Sequence, residues 1–167
     1  MVERSGGLPR VARSGIGFDV HAFAVGDPTR PLWLGGVRHD DDRGLAGHSD
    51  GDAVCHALAD ALLGAAALGD IGLHFPEDDE ATAGIGGVVV LSRSAALVRA
   101  AGFSPVSVDV TVIADRPNIA SRRDEMRVAI AGATDLPMDA VSVKGTRPEA
   151  MGLTGDGVAC LAIAVIV

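Results

Sequence analysis

Residues 48–70, HSDGDAVCHALADALLGAAALGD, are the stretch that most limits how this chain can fold. Val54, Leu58, Ala61 and Ala65 recur at the period of an α-helix and share one face. Asp52, His56 and Asp60, each four residues from the next, share the opposite face. Ser49 followed by Asp52 predicts a capping box, Asp50 and Asp52 suit the positive end of the helix dipole, and Gly69 predicts the stop. Such a helix covers a core with one side and lines something else with the other.

GFDVHAF, residues 17–23, supplies a partner for the polar side. Side chains alternate along a strand, so Asp19 and His21 point to one face while Phe18 and Val20 point to the other. Polar groups on an inner face must be paired, bind something or be wet. Asp19 and His21 either hydrogen-bond to each other or to backbone, or supply two ligands of a metal such as zinc, whose catalytic sites take three protein ligands and keep one position open. His39, His48, His56 and His74 are candidates for the third ligand. His56 is preferred because its helix face is already polar, with Asp52 and Asp60 available to orient the ring.

The remaining chain alternates strands and helices. Residues 1–12 predict a flexible tail and 13–167 a single domain, with strands at 13–24, LWLGGVRH, VSVDVTVIA, AVSVK and GVACLAIAVIV. VVVLSRSAALVRAAG and SRRDEMRVAIAGAT predict helices; DDDRG predicts an acidic loop, and IGLHFPEDDEATAGIGG a mobile one. Four or five strands interleaved with helices predict a small α/β (α+β) sandwich, one mixed β-sheet with helices on one side. The bare sheet face then calls for cover by oligomerisation.

Composition narrows the function classes. With aromatics at 3%, the core is built from Ala, Val, Leu and Ile. Two cysteines, Cys55 and Cys160, give neither a disulfide framework nor a CxxC metal pattern. The net charge of −8 argues against nucleic-acid binding, and means that any anionic substrate must be held by local cations. The start of the chain lacks the apolar segment of a secretory signal and VACLAIAVIV is too short to span a bilayer, so the expectation is a soluble cytoplasmic protein without a membrane partner.

Two loops carry further chemistry. LAGHSDGD is read either as helix capping with a loop histidine or as an anion site, and VKGTRPEAMG either as an exposed turn or as a holder of phosphate and a divalent ion. Neither a P-loop nor a GxGxxG after a strand is present.

In combination, GFDVHAF, GLAGHSDGDAVCHALADALLGAAALGDIG, HFPEDD and VDVTVIADRP resemble the 2-C-methyl-D-erythritol 2,4-cyclodiphosphate synthase family, over about Gly15 to Val167. The resemblance implies a cytoplasmic homotrimer with active sites at subunit interfaces. It implies a metal-dependent phosphorus–oxygen lyase of non-mevalonate isoprenoid biosynthesis. The substrate would be 4-diphosphocytidyl-2-C-methyl-D-erythritol 2-phosphate, whose 2-phosphate attacks the β-phosphorus and expels CMP. One Zn²⁺ per subunit would be held by Asp19, His21 and His56, and Mg²⁺ or Mn²⁺ with the substrate by Glu149. His48 and Ser49 match substrate-phosphate contacts, and His48, Thr146 and Glu149 the catalytic positions. Asp70 and Gly72 match ribose contacts, and HFPEDD, with Glu77 and Asp79, looks like a lid over the erythritol. The cytosine pocket would come from Ala114, Pro117, Asn118, Ile119 and Ala120 with Gly145, Thr146 and Arg147.

The departures from the family pattern cluster. K-A-T-T-T-E reads KGTRPE, placing Arg147 where a small hydroxyl is usual; G-R-G-E-G reads GDGVA; and the lysine after R-P is Asn118. Asp156 reverses the sign expected at a central-channel anion site, so that site is expected to be absent. Two alternatives follow: an impaired zinc-binding trimer that binds nucleotide or a partner without turnover, and a zinc phosphohydrolase of another substrate.

Overall fold

The computed structural model describes residues 11–27, 29–76, 78–79, 82–152 and 154–167. Strands β1 (Arg13–Ala22), β4 (Pro105–Ile113), β5 (Val141–Thr146) and β6 (Gly157–Ile166) form one sheet in the order β1-β6-β4-β5. β6 runs antiparallel to both β1 and β4, while β4 and β5 are parallel, so the sheet is mixed as expected. The parallel pair is joined through helix α4 (Arg123–Thr134). Helix α1 (Ala53–Ala65) lies across β1 and β6, and α3 (Gly87–Ala100) packs on α1. A four-residue helix, α2 (Ile71–His74), follows α1 inside the stretch expected to be loop.

The second predicted strand is instead a hairpin of its own, β2 (Pro31–Leu34) and β3 (Val37–Arg43). Gly35 and Gly36 make its turn, both at positive φ, +61° and +74°, which glycine adopts without a Cβ clash. DDDRG therefore belongs largely to β3 rather than to a loop, and the described strands number six in two sheets rather than four or five in one.

Helix α1 also differs from its expectation. Asp52, not Ser49, is its N-cap, accepting the Cys55 N–H, and the chain leaves the helix at Ala66 and a left-handed Ala67 before reaching Gly69. The helix is buried nearly all round, because the sheet lies on one side and α3 on another. Ala-rich α1 sits unusually close to β1: a Cβ on Gly15 would fall 2.1 Å from the Ala61 carbonyl oxygen, and one on Gly17 1.9 Å from that of Ala57. Val108, Val110, Ala162 and Ala164 fill the helix-side face of the sheet, whereas Ile16, Phe18, Val20, Leu161 and Ile163 on the other face are exposed. Cys55 and Cys160 are buried free thiols. Among the described residues, no helix is long and apolar enough to cross a membrane.

Candidate metal and substrate site

The close contact of Gly17 with Ala57 fixes what happens two residues along β1, where Asp19 meets His56. Asp19 Oδ2 lies 3.0 Å from His21 Nε2 and 3.2 Å from His56 Nδ1. The two imidazole centroids are 5.8 Å apart. One ligand atom from each of the three residues lies within 4.8 Å of the others. Three donors bonded to one tetrahedral zinc stand about 3.3 Å apart, given bonds of about 2 Å, so the donor set and its spacing suit such an ion.

The rings are held from behind. His21 Nδ1–H donates to the Ala46 carbonyl at 2.7 Å, which leaves Nε2 for the cluster. His56 Nε2 lies 3.4 Å from Ser49 Oγ, which leaves Nδ1 for the cluster. Asp52 and Asp60, expected to orient the His56 ring, do other work. Asp52 is fully buried and accepts N–H groups from Gly35, Gly36 and Cys55, tying the hairpin turn to the start of α1. Asp60 accepts the Ile71 N–H at 2.8 Å and so tethers α2 to α1. A four-residue spacing placed both on the histidine's side of a helix, but backbone donors from other elements reach them first.

The electrostatics follow the geometry. Burial opposes ionisation of Asp19, yet the hydrogen bonds and charges of His21 and His56 outweigh it and hold the carboxyl well below its ordinary range. The hydrogen bond to Asp19 raises the His21 pKa against the effect of burial. Burial raises both Asp50 and Asp60, although each accepts backbone N–H groups.

Two cavities carry the predicted residues. The first, about 170 Å³, is lined by Asp19, His21, His48, Ser49, His56 and Gly72, with Phe75, Ile85 and Val90 as an apolar wall. Asp70 is not in that lining; it precedes the lining residue Ile71 and is the N-cap of α2, accepting the Leu73 N–H. Asp79 lies outside that lining, its carbonyl accepting Thr82 N–H and O–H, and Glu77 lies outside the described residues. The second cavity, about 260 Å³, is lined by Ala114, Pro117, Asn118, Ile119, Ala120, Gly145, Thr146 and Arg147. All eight residues expected at the cytosine pocket thus come together. Asp115, within the expected 114–120 segment, also lines it, as does Arg123, which was not anticipated.

The cavities share no residue, and Glu149 lines neither. Glu149 is exposed, and both it and Ala150 are left-handed, at φ 51° and 57°. Asp156 is paired with Arg43 at 2.7 Å and Arg116 at 3.1 Å, while Val158 is fully buried opposite His21. Arg30, whose fork bonds the loop after β3, is another residue the sequence did not flag; its partners lie 15 to 19 positions away, beyond any local pattern.

Comparison with known proteins gives consistent relatives. The model of the YgbB family matches residues 12–167. The 2-C-methyl-D-erythritol 2,4-cyclodiphosphate synthase of Salinibacter ruber is 50% identical over 92% of this chain and 98% of its own. That of Syntrophobacter fumaroxidans is 47% identical over 92% and 96%. A solved 2C-methyl-D-erythritol-2,4-cyclodiphosphate synthase in a CDP-bound form superimposes with a TM-score of 0.84 at 33% identity, over 93% of this chain and all of that one.

Proposed function

This chain belongs to the YgbB family, and from that premise we propose that it cyclises 4-diphosphocytidyl-2-C-methyl-D-erythritol 2-phosphate to 2-C-methyl-D-erythritol 2,4-cyclodiphosphate. A 2-phosphate oxygen bonds to the β-phosphorus, the bond from that phosphorus to the oxygen bridging to the α-phosphate breaks, and CMP leaves with the bridging oxygen. In reaction class this is a phosphorus–oxygen lyase, acting in the cytoplasm. The observation that carries the reading is the convergence of Asp19, His21 and His56 on the wall of a cavity that also holds His48 and Ser49.

The residues divide the work. Asp19, His21 and His56 would hold one Zn²⁺ per subunit, and Glu149, with Thr146 nearby in sequence, would hold Mg²⁺ or Mn²⁺ with the substrate. When bound, these ions supply Lewis-acid polarisation and neutralise the charge of two phosphates forced together. Ser49 and His48 would orient the phosphate beside the cluster, and Asp70 and Gly72 the ribose. The pocket of residues 114–120 and 145–147 would take the cytosine. Because the attack is intramolecular, holding the two phosphates in line contributes much of the rate without an enzymic base.

Two separate cavities in one chain, and an apolar sheet face open to water, support a homotrimer in which one subunit's metal cluster meets its neighbour's nucleotide pocket. The test is incubation of the purified protein with the diphosphocytidyl substrate and Mg²⁺. CMP is expected from the wild type and not from His56→Ala, which should stay trimeric while losing zinc. Zinc-replete wild-type protein that releases no CMP contradicts the reading.

A further inference from the structure

The loop between β3 and α1 wraps the outer side of the metal cluster. Its Ala46 carbonyl accepts the His21 Nδ1–H, and Gly47 packs so closely on the same ring that an added Cβ would lie 3.3 Å from His21 Cε1. Its Ser49 hydroxyl lies beside His56 Nε2, and His48 and Ser49 line the first cavity. Part of the loop is tied by backbone: Ala46 N–H to the Ala22 carbonyl and Gly84 N–H to the His48 carbonyl. The carbonyls of Leu45, Gly47 and Ser49 are taken up by a single side chain. Arg30 Nε donates to Leu45 at 2.5 Å, and Nη2 donates to Gly47 at 3.1 Å and Ser49 at 2.5 Å.

We infer that Arg30 is a positioning residue of this site: its fork binds three carbonyls of the 45–49 loop and thereby fixes the His21 imidazole and the phosphate-facing Ser49. This rests on the proposed function only for what the positioned groups act upon. Among the described residues Arg30 forms no ion pair with a carboxylate, so a guanidinium carrying a partly buried charge spends its donors on neutral carbonyls of one loop. That use depends on its shape. Five N–H groups spread over a planar fork reach carbonyls that one ammonium point cannot span together. Losing the carbonyl behind a ligating histidine is a loss of the support that sets ligand orientation, which ordinarily weakens metal binding about 10- to 100-fold.

The experiment measures zinc affinity of the full chain by chelator competition, without substrate, for wild type, Arg30→Met and Arg30→Lys. Arg30→Met is expected to bind zinc at least about tenfold more weakly, with Arg30→Lys between the two. Arg127→Met is the control: Arg127 likewise donates to two carbonyls, of Val141 and Met138, away from the cluster, and should lower the melting temperature without changing zinc affinity. In the metal-free protein, the His21 Nδ1 proton should give a protected, downfield NMR signal that Arg30→Met loses. Zinc affinity within threefold of wild type together with a retained His21 signal overturns the inference and leaves Arg30 a brace of the fold. If Arg30→Met does not fold, the same two criteria applied to Arg30→Lys decide. Wild type that binds no zinc while showing the Arg30-dependent His21 signal contradicts the metal reading and sustains the positioning role.

Discussion

At residue scale, Asp19 and His21, expected either to bond each other or to bind a metal, are bonded to each other in a cluster that could also hold a metal. The atoms that pair in the metal-free protein are those a divalent ion would separate and bind. Their titration therefore gives a signature of the metal-free state. Asp19, held below its ordinary 3.8, contributes stability that is present above that value and is lost as pH falls. His21, raised above 6.5, contributes stability that is complete below that value and is lost as pH rises through its folded pKa. In chelator, the melting-temperature difference between wild type and Asp19→Asn should be largest from about pH 4 to 6.5 and shrink towards pH 9. A difference constant over that range contradicts the pairing. The two residues were legible from alternation alone, since nothing but a strand was needed to put them on one face. The groups behind them were not, because Ala46 offers a backbone carbonyl and Arg30 reaches across 15 or more positions.

At the scale of elements, the three longer helices and the strands of the main sheet could be read from periodicity, and the four-residue α2 and the hairpin could not. LWLGGVRH contains most of β2, the turn and the start of β3, and apolar content on each side of Gly35–Gly36 reads as one run until the positive φ values are known. The near-complete burial of α1 was likewise hidden: its aspartates read as one face with His56, yet Asp52 is enclosed by N–H groups from the hairpin turn. What positions the site is the contact of α1 with β1. Gly17→Ala drives a methyl into the Ala57 carbonyl, and should cost about 2–3 kcal/mol through overpacking. It should also push His56 away from Asp19, so a lower unfolding midpoint is expected together with weaker zinc binding. Unchanged zinc binding in a folded Gly17→Ala protein would separate the helix contact from the metal cluster.

Over the whole molecule, the same sheet that buries Gly17 and half-buries Asp19 on its helix side leaves Ile16 68% and Phe18 56% exposed on the other. The Asp109–Lys144 ion pair, at 2.6 Å, belongs to the outer strand pair β4–β5. A broad apolar face on a chain of net charge −8 is the surface on which the proposed homotrimer depends. Phe18→Asp should give monomers by light scattering that keep the fold but release no CMP; a trimer of full activity would rule that face out as the interface. The resemblance named the residues of the proposed nucleotide pocket, and the one chain shows them gathered, while Glu149 lines neither cavity.

The most direct test is crystallographic, at the zinc absorption edge, on protein purified without chelator. The account predicts one anomalous peak per subunit within bonding distance of Asp19 Oδ2, His21 Nε2 and His56 Nδ1, with a fourth position facing the cavity. A zinc peak bound elsewhere, or none between these three atoms in zinc-saturated crystals, contradicts it.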